Sequence, residues 1–149
     1  MQLHFDGSTS IDAEKETVFN KLTDVKFIAG TLPDAEDVSI VDATTLEAKL
    51  KVRIAVVTST LKLRMRIADT DPTSRAKLEA EASGSGSHLT ISSTFELTGS
   101  RPTTLSWSAD AEITGVMAGL GSSILKGFAK KKVGEIFSGI TKALEAGTA

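Results

Sequence analysis

The sequence predicts an α+β fold in which a curved antiparallel sheet of about seven strands wraps one long C-terminal helix, with two short helices after strand 1. Three observations carry this. The apolar period is two at the N-terminus and again from Val38 to Thr114. Between those stretches it is helical and brief. From Met117 to about Leu144 it is helical and long.

Each element has its own signature. Leu3, Phe5 and Ile11 share one face of a first strand. Asp12 is the expected N-cap of a short helix, with Glu14 and Glu16 in its first turn and Val18, Phe19 and Leu22 as its apolar stripe. A second short helix carries Val25, Phe27 and Ile28 and is expected to end before Gly30 and Pro33. Leu46 to Ile54 then alternates apolar residues with Glu47, Lys49, Lys51 and Arg53. Leu61 to Ile67 alternates with Lys62, Arg64 and Arg66, and Ala76 to Ala82 with Lys77, Glu79 and Glu81. Gly84 and Gly86 mark a reversal, after which Leu89, Ile91, Phe95 and Leu97 face one way. After Pro102, the residues Leu105, Trp107, Ala109, Ala111 and Ile113 repeat the pattern. Such alternation describes a sheet with one wet and one dry face, and a basic strand followed by an acidic one favours cross-strand ion pairs on the wet face. Leu120, Ile124, Phe128, Val133, Ile136, Phe137, Ile140 and Leu144 form the stripe of the last helix.

The 149 residues suit one domain, 1–149, and the net charge of −2 offers no global attraction for nucleic acid. The absence of cysteine excludes disulfides, thiolate metal sites and a cysteine nucleophile, and fits a reducing compartment. No basic leader with an apolar run precedes the first strand and no stretch approaches a membrane span, so the expected location is cytoplasmic.

The dry face changes character along the chain. Early strands present Leu, Val, Ile and Met; later ones present Ala76, Ala80, Ala82, Ser93, Ala109 and Ala111, and the last helix contains Gly119, Gly121, Gly127, Gly134 and Gly139. Small residues on both sides either let helix and sheet pack closely or leave an enclosed apolar pocket. The pocket is the favoured alternative. Ionisable chemistry is sparse: His4, His88 and the carboxylates Glu47, Glu79, Glu81, Glu96, Asp110 and Glu112 all fall on the wet face by parity. The stretch Ser83 to Ser87 lacks the lysine and the strand–loop–helix setting of a phosphate loop and reads as a hairpin turn. Trp107 suits the core or the pocket mouth. Lys126, Lys130, Lys131 and Lys132 form a basic cluster that suits solvent, anionic lipid or an acidic partner.

Phe5-Asp6-Gly7-Ser8, Val18-Phe19, Leu22-Thr23-Asp24, Leu32-Pro33 and above all the run Ile113 to Ser122 carry a resemblance over nearly the whole chain. The sequence resembles the CoxG-type family, named for the G-subunit of carbon monoxide dehydrogenase, of the START/Bet v1-like helix-grip (SRPBCC) superfamily. Asp34 stands where that family usually has glycine. The resemblance implies an apolar ligand cavity and a role as accessory to a molybdenum hydroxylase such as carbon monoxide dehydrogenase; the uncharged inner face fits a non-catalytic binding or carrier protein for a lipid or quinone-like compound. The resemblance also implies peripheral attachment at the membrane inner face. A cyclase or aromatase-like enzyme is the alternative the same fold admits. The expected cavity residues are Leu50, Leu63, Met65, Leu78, Ala80, Phe95, Trp107, Ala109, Ala111, Met117, Leu120, Ile124 and Phe128. Lys126, Lys130, Lys131 and Lys132 are the expected membrane or partner contact. No catalytic residue, metal, cofactor or nucleic-acid partner is expected.

Overall fold

The structure, a computed structural model, describes residues 1–32, 35–54 and 56–146. The turn expected at Leu32-Pro33-Asp34 lies partly outside the described residues.

Strand β1 (Gln2–Ile11) is followed by helices α1 (Lys15–Leu22) and α2 (Val25–Thr31). Strands β2 (Ala35–Ile40), β3 (Thr45–Ile54), β4 (Val57–Asp71), β5 (Arg75–Gly84), β6 (Ser87–Gly99) and β7 (Thr103–Gly115) then run in succession. A 3₁₀ turn (Val116–Leu120) leads into helix α3 (Ser122–Ala146). The strands form one antiparallel sheet in the order β1-β7-β6-β5-β4-β3-β2, so every neighbour but β1–β7 is a hairpin partner in sequence. The chain start closes that one long-range pairing: the Met1 amino group donates to the Ile113 carbonyl at 2.9 Å, and the Ile113 N–H donates back to Met1 at 2.8 Å.

Three boundaries differ from the sequence reading, each for a local reason. Helix α1 is entered through Glu14 rather than Asp12, and its N-cap side chain makes no capping bond. Asp12 instead stays outside the helix: its N–H donates to Glu145 on α3 at 3.1 Å, and its carboxylate lies 3.8 Å from Arg101. Helix α2 is capped as a helix should be, by Asp24 accepting from the Lys26 N–H at 3.0 Å, and it runs through Gly30 to Thr31. The last helical stretch is broken at Gly121, whose φ of 89° and ψ of 156° fit glycine alone, so a tight turn precedes the long helix.

The dry face is packed in two clusters. One joins Leu46, Ile54, Leu61, Leu63, Ile67, Ala82, Ile113, Met117 and Leu125 with Val25 and Ile28 of α2. The other joins Ile11, Val18, Phe19, Leu22, Ala76, Phe95, Leu97 and Leu105 with Ile140 and Leu144 at the far end of α3. On the wet face the expected pairing of the basic strand with the acidic one is present at Arg66 and Glu79, 2.6 Å apart, whereas Arg64 meets Glu47 on β3 at 3.4 Å and Glu81 meets His88 on β6 at 3.4 Å.

Candidate functional site

Burial along the inner face is not uniform. Phe5, Ala109, Ser93 and Leu78 are neighbours across β1, β7, β6 and β5, and all four are half-buried. The next row, Ile91, Ala80 and Met65 across β6, β5 and β4, is half-buried too. Around these seven stand buried residues: Leu3, Ala111, Ala82, Leu63, Leu46, Ile67, Ala76 and Phe95. Half-open Leu89 interrupts that rim on β6, and Leu50 and Val52 are half-open on β3. Strands sealed toward their ends and accessible in their middles leave unfilled space against the centre of the sheet. Three of the seven, Ala80, Ser93 and Ala109, are too short to reach across to the helix, which allows such space without fixing it.

On the helix, Gly127 and Gly134 are exposed and Gly139 is half-buried. A Cβ added at Gly127, Gly134 or Gly139 would meet nothing within 4 Å, so none of these glycines is there to admit a close-packed neighbour. Close packing through helix glycines, the other alternative open to the sequence, is thereby set aside.

Of the expected cavity residues, Leu50, Leu63, Met65, Leu78, Ala80, Ala111, Met117, Leu120 and Phe128 are brought together in the first cluster. Leu63, Ala111 and Met117 are buried members of it; the other six are half-buried against it. Phe95 and Trp107 belong to the second cluster, Phe95 buried against Phe19 and Trp107 half-buried. Ala109 is half-buried in the central patch. Ile124 is 46% exposed and stands apart from the patch. Phe5, Ile91 and Ser93 complete the patch; their place was available from the same alternation.

Two concavities border this region. A groove of about 530 Å³ runs between the edge of β1 and α3, lined by His4 to Thr9, Trp107, Lys130, Val133, Gly134 and Phe137. Phe5 belongs to both groove and central patch, so the two adjoin at β1. A Cβ at Gly7 would lie 3.0 Å from Trp107 Cζ2, so a larger residue there would make the indole shift. The larger concavity, about 750 Å³, is a polar trough on the wet face, floored by Thr90 and Ser92 and walled by Arg64, Arg66, Glu79, Glu81, Asp110, Glu112 and His4. It is charged where an apolar ligand needs the opposite, so the hollow and not the trough is the candidate site.

His4 and His88 both point outward. His4 Nδ1 lies 2.7 Å from Asp110 and Nε2 3.1 Å from Asp6. The hydrogen bond to Asp110, then that to Asp6, raises its pKa above the usual histidine value. Asp42 is held below its ordinary value by the backbone N–H of Thr44. Among the described residues, no group of three or more His, Cys, Asp or Glu could hold a metal ion. No helix among them is long and apolar enough to cross a membrane.

The basic cluster is divided. Lys126, Lys130 and Lys131 are exposed, whereas Lys132 is half-buried, 5.6 Å above the Phe128 ring and 3.2 Å from Glu135.

A model of the family of the carbon monoxide dehydrogenase G-subunit (CoxG) matches residues 7–145. The chain belongs to the CoxG family. This CoxG-family chain is similar in structure to a conserved protein from Geobacillus kaustophilus, with 24% identity, a TM-score of 0.86 and 95% of each chain covered. It is also similar to a START superfamily protein from Mycobacterium smegmatis, at 12% identity and a TM-score of 0.71, over 96% of this chain and 97% of that one. The Zhui aromatase/cyclase from Streptomyces sp. R1128 matches at 16% identity and a TM-score of 0.71, over 100% of this chain and 97% of that one. At these identities the likeness shows the fold, the START/Bet v1-like helix grip. No curated protein matches the sequence. Family and fold together suggest a ligand-binding accessory role.

Proposed function

We propose that this CoxG-family protein is a non-catalytic carrier for an apolar small molecule, lipid or quinone-like, held between the centre of the sheet and α3. The observation that carries the reading is the half-open patch of Phe5, Met65, Leu78, Ala80, Ile91, Ser93 and Ala109 inside a largely buried rim. Apolar side chains left accessible in mid-strand gain their burial from a ligand instead of from the protein. The patch holds one hydroxyl and no ionisable group, which favours carriage over cyclase or aromatase chemistry, since that chemistry needs acid or base groups aimed at the substrate.

The family supports service to a molybdenum hydroxylase such as carbon monoxide dehydrogenase, with the chain acting as one unit in the cytoplasm and peripherally at the membrane inner face. The exposed lysines Lys126, Lys130 and Lys131 are the contact toward an anionic surface. Native mass spectrometry of the purified protein tests the carrier reading. An adduct of lipid or quinone-like mass, displaced by an apolar competitor, is expected. A bare chain that also fails to take up neutral apolar dyes would overturn it.

A further inference from the structure

One end of the molecule carries exposed apolar side chains that the carrier site does not use. β3 ends at Ile54 and β4 begins at Val57, the two paired with each other, so Val56 sits in the turn between them, 92% exposed. Hairpin turns ordinarily take Gly, Asn or Asp; a valine there gains nothing from folding. The hairpin also projects. β4 pairs with β5 only from Lys62 onward, and the Thr60 N–H donates to Ser85 Oγ in the β5–β6 turn at 3.3 Å. Residues before Thr60 therefore run past that turn by roughly 10 Å at about 3.3 Å per residue. Val116, 55% exposed, is tied to the same turn by its N–H, which donates to the Gly86 carbonyl at 3.1 Å. Ile124, 46% exposed, precedes Leu125, which packs in the cluster that holds Ile54 and Met117.

Three segments that meet here carry charges of one sign, with the acids Glu36 and Asp37 set back on β2 beside Lys49. No Asp or Glu occurs in residues 48–68, 82–95 or 113–134, the three segments that meet here. They carry Lys51, Arg53, Lys62 and Lys126, none of which is ion-paired among the described residues. A nucleic acid would satisfy the cations and leave the valine apex in water. An anionic bilayer satisfies both, with phosphates at the cations and acyl boundary at the apex. We propose that the β3–β4 apex at Val56, with Val116 and Ile124, is a docking tip that enters the headgroup layer of anionic phospholipid membranes. The inference deepens the carrier reading and rests on it for its purpose, the transfer of an apolar ligand to or from lipid.

The chain has no cysteine, so Val56→Cys accepts a single nitrobenzoxadiazole label. Its emission should rise and shift blue on phosphatidylserine–phosphatidylcholine vesicles and stay constant on phosphatidylcholine alone, while the same label at Ser100→Cys in the β6–β7 turn stays constant on both. Val56→Asp should lower vesicle affinity by about tenfold, the loss expected for one buried valine. A silent label at position 56 on vesicles that do sediment the protein overturns the tip, as does failure to bind anionic vesicles, which points to a protein partner. Uptake of N-phenyl-1-naphthylamine separates the two readings. Dye bound without docking removes the tip and keeps the carrier; docking without dye removes the carrier and keeps the tip.

Discussion

The indole of Trp107 on β7 lies against the ring of Phe137 on α3, with centroids 5.1 Å apart and planes inclined by 26°. This offset stack joins sheet to helix beside the groove that adjoins the hollow, and both rings line that groove. Trp107 is the only tryptophan, so its emission reports the contact without labelling.

Phe137→Leu should cost about 1 kcal/mol, the range of an aromatic pair beyond its area. It should also shift Trp107 emission to the red and speed release of an apolar dye. Unchanged emission in that variant would show that the stack does not persist in solution.

Ala80→Phe and Ala109→Phe place a ring in the central patch. If the space is there, stability holds or rises while binding of an apolar fluorescent dye falls. A loss of about 1–3 kcal/mol in both variants is the signature of overpacking and would mean the centre is already full. Urea denaturation with a dye titration measures both.

His4 lies on the wet face, so His4→Ala should leave dye uptake unchanged. Its pKa is raised by Asp110 and Asp6 from the ordinary 6.5, so its contribution to stability is fully present below that value and is lost as pH rises through the raised one. The wild-type melting temperature should therefore exceed that of His4→Ala slightly at pH 6 and converge with it at alkaline pH. Parallel pH curves would remove the carboxylate clamp from solution. His88→Ala, likewise on the wet face, should stay within about 0.5 kcal/mol of wild type.

Replacing Lys126, Lys130 and Lys131 by glutamate should abolish sedimentation with anionic vesicles, each lysine contributing about 1 kcal/mol near such a surface. High salt should do the same to wild type, because the Debye length falls to about 3 Å at 1 M. Lys132→Glu should act differently. It sets a second carboxylate beside Glu135 and removes the cation over Phe128, so stability suffers before binding does. Equal binding to neutral vesicles would falsify the electrostatic contact.

Much of the fold is legible because its strands alternate cleanly. Leu46 to Ile54 and Leu61 to Ile67 each put every second residue inward, and the structure keeps that parity through the sheet. The cap at Asp12 misleads because an acidic residue followed by two more satisfies the helix-start pattern, whereas Asp12 bonds Glu145 from α3 and the cap position falls two residues later, at Glu14. Ile124 fits the helical stripe by spacing, yet the inward position in the first turn of α3 is taken by its neighbour Leu125, buried in the first cluster, so Ile124 is left 46% exposed. The open centre depends on how far the sheet bends away from α3, a tertiary quantity that alanine-rich strands allow but do not specify. The acid-free segments are visible in the sequence; their meeting at one end is a product of register.

A sheet that does not close has two outer strands, here β1 and β2. The unpaired side of β1 faces the groove under α3. β2 exposes Val38 and Ile40 to 39% and 41%, the raw material of intermolecular strand addition. Its defence is a dislocation: pairing with β3 shifts register between Glu36 and Ser39, and Asp37 adopts φ 50° with its carboxylate 3.6 Å from Lys49. A bent, acidic border offers no straight ladder to an incoming chain. Deleting Asp37 would straighten that border, and the outcome to expect is fibril growth seeded from β2, with the hollow itself untouched.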